Sequence, residues 1–214
     1  MNSSNAPRFD LLLHAYGRAV DTPGHLDALT AGDPAARDAA VHHLNSAIVH
    51  QGTPWTATGP ATEYVSAIIR RGAVTDEETL VRLLRFLGEV AESAAIGAED
   101  DIESLARPAG RDIEAEVAAM LEPADANVVD GARGRDSEND EDDDNEDVTE
   151  LLYDDEVRAD ALFARAVLEC RAALPGIVAA AENAGTHPDE RVRAEAAETL
   201  AAATAALPSD AMPH

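Results

Sequence analysis

The chain has 214 residues, 45% of them hydrophobic but only 3% aromatic, and a formal net charge of −26. It is long enough to bury the core of one domain or of two small ones. All sixteen basic residues are arginine, and so large an acidic excess argues against unaided binding to phosphate backbones, which needs clustered Lys and Arg.

Such a charge suits solubility, a basic protein partner, or imitation of a polyanion. Alanine replaces the missing aromatics, which favours close-packed helices over sheet. Cys170 is the single cysteine, so no intramolecular disulfide forms. The first twenty residues carry no charged leader before a long apolar run, and no segment approaches eighteen uninterrupted apolar residues. The expectation is a soluble, cytoplasmic protein with no membrane association.

In chain order, Arg8 to Ala19 reads as a first helix with Phe9, Leu12, Leu13 and Tyr16 facing inward. A second helical stripe runs from Ala35 to His50, with Ala36, Ala40, Leu44, Ala47 and Ile48 buried. "GTPWTATGP", residues 52–60, is a loop or irregular helix start punctuated by glycine and proline. Ala61 to Arg71 is the next helix. "TDEETLVRLLRFLGEVAESAAI", residues 75–96, is the clearest, with Thr75 as its cap and acids in its first turn. Another helix is expected from Arg111 to Leu121. Residues 122–150 then lose apolar content and gain breakers and carboxylates, which predicts a flexible acidic insertion. Order resumes in "DDEVRADALFARAVLECRAAL", residues 154–174, where Val157, Phe163, Val167 and Leu174 share a stripe.

Two stretches echo each other. "PGHLDALTAGDPAARDAAVHHL", residues 23–44, and "PGIVAAAENAGTHPDERVRAEAAETL", residues 175–200, both open on Pro-Gly, a common helix start. Each then runs through alanines to a glycine and a turn, Asp33-Pro34 or Pro188-Asp189. Each ends in a helix whose Arg, Ala and Leu keep one spacing: Arg37, Ala40 and Leu44, or Arg193, Ala196 and Leu200. "RPAGRDIEAEVAAML", residues 107–121, mimics the pattern more loosely.

Two helices joined by a tight turn with Asp-x-x-x-Arg at the joint resemble HEAT repeats. "HAYGRAVDTPGHLDAL" and "HQGTPWTAT" also look like a group of bacterial HEAT-repeat proteins. The resemblance implies an α-solenoid in which Asp33, Arg37, Asp189 and Arg193 are structural residues that tie neighbouring units. The expected fold is therefore all-α: a short, irregular HEAT-like solenoid of about eight or nine helices. A helical part at 1–121, an acidic loop at 122–150 and a second helical part at 151–214 would form one solenoid.

The acidic run is densest at Asp140, Glu141, Asp142, Asp143, Asp144, Glu146 and Asp147. A calcium loop starting at Asp140 fails, because Asn145 falls on the glycine position and Leu151 on the closing glutamate. The run reads as a solvated insertion or as a docking segment for a basic partner. Outside 136–156 the chain still holds 29 acidic residues against 16 Arg.

His43 and His50 lie two helical turns apart, but no carboxylate or Cys completes a zinc pattern. With Gln51 and Trp55 they suggest a polar groove with a loop aromatic as its anchor. Trp55 also reads as a plug between helices.

No "GxSxG", "HExxH" or "GxxxxGK[ST]" occurs. Cys170 reads as core. The sequence therefore favours a non-catalytic protein-binding module with a basic partner, in one version an inhibitor or immunity protein. No metal or cofactor is expected.

The alternatives are a polyanion mimic or a HEAT-like DNA glycosylase. The latter would need an arginine patch from Arg70, Arg71, Arg82 and Arg85 in a concave groove. A homo-oligomer through exposed ends is also compatible with the sequence.

Overall fold

A computed structural model describes residues 7–121 and 154–207. A 3-10 turn at Phe9–Leu11 leads into a hairpin of β1 (Leu13–His14) and β2 (Gly17–Arg18). Helix α1 is Thr22–Ala28 and α2 is Pro34–His43. α2 runs on through a π-helical turn, Leu44–Ile48, into a second hairpin of β3 (Val49–His50) and β4 (Thr53–Pro54). Then follow α3 (Thr58–Arg70), α4 (Glu77–Ala94), α5 (Glu99–Ala106), α6 (Ile113–Leu121), α7 (Glu156–Ala184) and α8 (Glu190–Ala206). The fold is all-α, with eight α-helices among the described residues and strands of only two residues each.

Aspartates start the helices. Asp33, Asp76, Asp155 and Asp189 are N-caps of α2, α4, α7 and α8, each accepting a backbone N–H of the first turn. A cap of this kind contributes about 1 kcal/mol. The arginines of the two echoed joints behave alike. Arg37 Nη1 donates to the Ala31 carbonyl at 2.8 Å, and Arg193 Nη1 to the His187 carbonyl at 2.8 Å. Each arginine stands four residues after its capping aspartate and reaches the carbonyl six residues back. These hydrogen bonds close a joint on itself rather than linking it to the next pair.

Several expectations need correction. Arg8 to Ala19 is not a helix. Gly17 has φ +119°, a conformation glycine permits, and the chain folds back as a hairpin that leaves Tyr16 58% exposed. The second helix ends at Ile48, because His50 pairs with Thr53 across Gln51 and Gly52, both at positive φ. Asp76, not Thr75, caps α4. Pro23-Gly24 does lie in the first turn of α1, whereas Pro175-Gly176 sits inside the 29-residue α7. Pro175 is exposed there, and Leu174 and Ile177 on either side are fully buried. Their burial overrides the roughly 3 kcal/mol that proline costs a helix interior. Val157 is exposed rather than part of the buried stripe. The acidic run from Asp140 to Asp147 lies outside the described residues.

One core joins both halves of the chain. Leu83, Leu84, Phe86, Leu87 and Val90 of α4 are wholly buried, in the same cluster as Leu44, Val65, Leu174, Ile177 and Val192. α7 packs on α3, α4 and α5, and α8 packs on α4 as well as on α7. Helices distant in sequence are thus in direct contact, whereas repeats in a solenoid touch only their neighbours. α3 approaches α7 closely at Gly59, where a Cβ would lie 2.8 Å from Glu169 Cβ.

Candidate binding site

The two hairpins meet α7 and gather the polar and aromatic residues of the N-terminal half. The Leu13 N–H donates to Thr56 Oγ1 at 2.9 Å and the Ala57 N–H to the Leu13 carbonyl at 3.0 Å. The Trp55 N–H donates to Thr58 Oγ1, which in turn donates to the Ile48 carbonyl. These bonds fix the Trp55 segment against β1. In front of it lies a cavity of about 220 Å³, walled by Leu13, Trp55, Leu162 and Phe163, with His14 and Asp160 among its polar groups.

Behind His14 is a network that the sequence did not reveal. Rings run in a row from His25 to His43 (stacked, 4.2 Å between centroids), His14 (5.3 Å), Tyr16 (6.2 Å) and His50 (5.7 Å). The Tyr16 N–H donates to His14 Nδ1, so the neutral ring carries its proton on Nε2 and donates it to Asp21 Oδ1 at 3.0 Å. Burial pushes the Asp21 carboxyl up, but the His14 hydrogen bond and the charges of His43 and His14 outweigh it, leaving it below its ordinary range. Burial pushes the His43 imidazole down to about 4, only partly opposed by Asp21.

Two chemical readings of this network fail on geometry. Thr22, His43 and Asp21 follow the hydroxyl–imidazole–carboxylate order of a nucleophilic triad, with Thr22 Oγ1 3.0 Å from His43 Nε2. Thr22, however, is fully buried, and His43 Nδ1 stands 3.7 Å from Asp21, beyond hydrogen-bonding distance. His14, Asp21 and His43 also offer three ligand atoms within 4.8 Å of one another. A cation there would need a bare His14 Nε2, while Nδ1 already accepts an N–H. A neutral imidazole cannot leave both nitrogens unprotonated. The donor set does not fit a metal ion.

The groove expected from His43, His50, Gln51 and Trp55 is divided by the fold. His43 is buried and held by Thr22. His50 bonds the Ser46 carbonyl and packs on Tyr16. Gln51 lines a separate cavity of about 540 Å³ beside Glu89 and Glu92, where burial raises the Glu89 carboxyl. Only Trp55 lines the 220 Å³ cavity. His14, Tyr16, Asp21 and His25 were missed because the hairpin folds His14 and Tyr16 back onto the start of α1, where Asp21 and His25 stand one helical turn apart. The one available sign was glycine at position 17.

Elsewhere, burial pushes the Glu169 carboxyl up to about 7, and its Oε2 is buried with no hydrogen-bond partner. Burial also pushes the Cys170 thiol up to about 12, which makes it a core residue rather than a nucleophile. No family model, curated protein or solved structure matches the chain. No helix among the described residues is long and apolar enough to cross a membrane.

Proposed function

We propose that the protein is a non-catalytic binding module, built from HEAT-like helix pairs, that engages a basic protein partner. The observation that carries this is how the charges are used. The described residues hold 28 Asp and Glu against 14 Arg, a net charge of −14 without the acidic run. Most of those arginines are already committed. Arg82 bonds Asp38, Arg85 bonds Glu195, Arg111 bonds Glu116 and Asp155, and Arg165 bonds Glu114. Arg171 donates to the carbonyls that end α4 and follow it. The outer surface is left with uncompensated carboxylates, which steer cationic partners.

The same pairing counts against a nucleic-acid-handling enzyme. Two of the four arginines such a patch required, Arg82 and Arg85, are bound to acids on neighbouring helices. In the cavity beside Trp55 both nitrogens of His14 are engaged, so it offers no free imidazole.

The test is affinity capture from the source organism's lysate, with nuclease-treated and high-salt controls, using the full chain and a version lacking residues 133–150. A basic protein retained at low salt and released at high salt is the expected result. Retention of nucleic acid alone would sink the reading. Loss of capture on deletion would assign docking to the acidic run, and persistence would assign it to the helical surface. An inhibitor or immunity role against a basic toxin or nucleic-acid-binding enzyme is the specific form to examine once the captured protein is known.

A further inference from the structure

The 220 Å³ cavity falls below the roughly 300–1,000 Å³ of small-molecule and cofactor sites, so a nucleotide or comparable ligand is too large for it. Its walls are apolar, and its imidazole is engaged at both nitrogens. That suits a single apolar side chain rather than a reacting group.

The rim on α7 is acidic. Asp160 lines the cavity, and Glu156, four residues earlier on the same helical face, is exposed beside it. The nearby arginine on α7, Arg158, pairs with Glu116 and Asp155. An apolar hole with a carboxylate rim is complementary to an apolar residue flanked by cations.

We propose that this cavity anchors the partner by taking one apolar side chain from a segment whose neighbouring residues are basic. The proposal rests on the basic-partner reading above and adds the contact that gives it specificity. Long-range charge brings many cationic segments to the surface, but it falls off within about 8 Å at physiological salt. The pocket then selects those with an apolar residue in register. Trp55, Leu162 and Phe163 would supply a desolvated centre of the kind that dominates binding energy at interfaces. The hydrogen bonds that pin residues 55–58 to β1 and to the end of the π-helical turn hold that centre in place before the partner arrives.

Trp55 is the single tryptophan, so its emission reports on this wall alone. The full chain is titrated with a peptide of three arginines, one leucine and three arginines. Two control peptides carry serine in place of leucine, or glutamates in place of the arginines. The leucine peptide should shift Trp55 emission saturably and bind about tenfold or more tightly than the serine peptide. The glutamate peptide should not bind.

Two variants separate the parts. Ala159→Leu, which fills the cavity from its α7 wall, should abolish the preference for leucine while leaving weak, salt-sensitive binding. Asp160→Asn, at an exposed position, should weaken the leucine peptide several-fold at low salt and little at high salt.

Equal binding of the leucine and serine peptides would overturn the pocket while leaving the acidic-surface reading in place. No binding by either arginine peptide would overturn both. A gain of more than about tenfold in leucine-peptide affinity on deleting residues 133–150 would make the chain's own segment the occupant and overturn the proposal. Trp55 emission that depends on protein concentration alone would do the same in favour of a second copy.

Discussion

The first helical pair, α1 with α2, and the last, α7 with α8, share a joint but little else. At both joints an aspartate caps the second helix, and an arginine four residues on closes back over the turn. Before the joint the two diverge. Pro-Gly begins a seven-residue helix in one pair and is absorbed into a 29-residue helix in the other. After it, Leu44 is wholly buried, whereas Leu200 is only partly so, and Thr199 takes the inner position by donating to the Leu84 carbonyl. A short polar signature therefore specifies a turn and nothing beyond it. Helix length and burial are decided by what packs on each pair, α3 and α4 on the first and α3 to α5 on the last.

Substitutions at matched positions test this difference. Leu44→Ala should cost about 3–4 kcal/mol of unfolding free energy and Leu200→Ala about 1 kcal/mol, read by urea denaturation. Equal costs would mean that the echo extends into packing after all.

The pairs should also respond to pH in opposite directions. His43, held at about 4 against an ordinary 6.5, takes its proton more readily when unfolded, so its contribution to stability is lost as pH falls from 6.5 to 4. Glu169, held at about 7 against an ordinary 4.5, takes its proton more readily when folded. Its contribution is present below 4.5 and lost as pH rises through 7. Stability measured from pH 4 to 8 should steepen on the acid side through His43 by about 2 kcal/mol and decline toward neutrality through Glu169 by about 3 kcal/mol. His43→Gln and Glu169→Gln should each flatten their own limb and leave the other.

Smaller effects are expected at the caps. Asp33→Ala should cost about 1 kcal/mol, and Asp189→Ala slightly more because Asp189 accepts two backbone N–H groups. The smallest signal is chemical: Cys170 should resist thiol reagents at pH 8 until the chain unfolds. Fast labelling of the native protein would show that α7 opens locally.

Much of the helical content was legible. The stripe of Leu80, Leu83, Leu84, Leu87, Val90 and Ala91 predicts α4 because all six are buried on one face. The joints were legible because capping is local. The N-terminal hairpin was not, since Leu11, Leu12 and Leu13 fit a helix as well as a strand, and only Gly17 decides between them. α5 was missed because its acidic first turn, Glu99 to Asp101, leaves only Ile102 and Ala106 to mark a buried face. At the site, Trp55 in a loop was legible, but its cavity was not, because Leu162 and Phe163 stand more than a hundred residues away and meet it only through tertiary packing.

The π-helical turn at Leu44–Ile48 bears on how this gene can change. Such a turn holds one residue more than a regular helical turn. Loss of a single codon there would restore ordinary winding without breaking the helix. What lies beyond the turn would keep its phase, whereas loss of a codon from the regular part of α2, Pro34–His43, would swing everything downstream by about 100° around the helix axis. β3, β4 and Trp55 would then leave the face they share with β1 and α7. The extra residue thus makes Leu44–Ile48 the one stretch of this helix that can lose a residue and keep scaffold and site in phase.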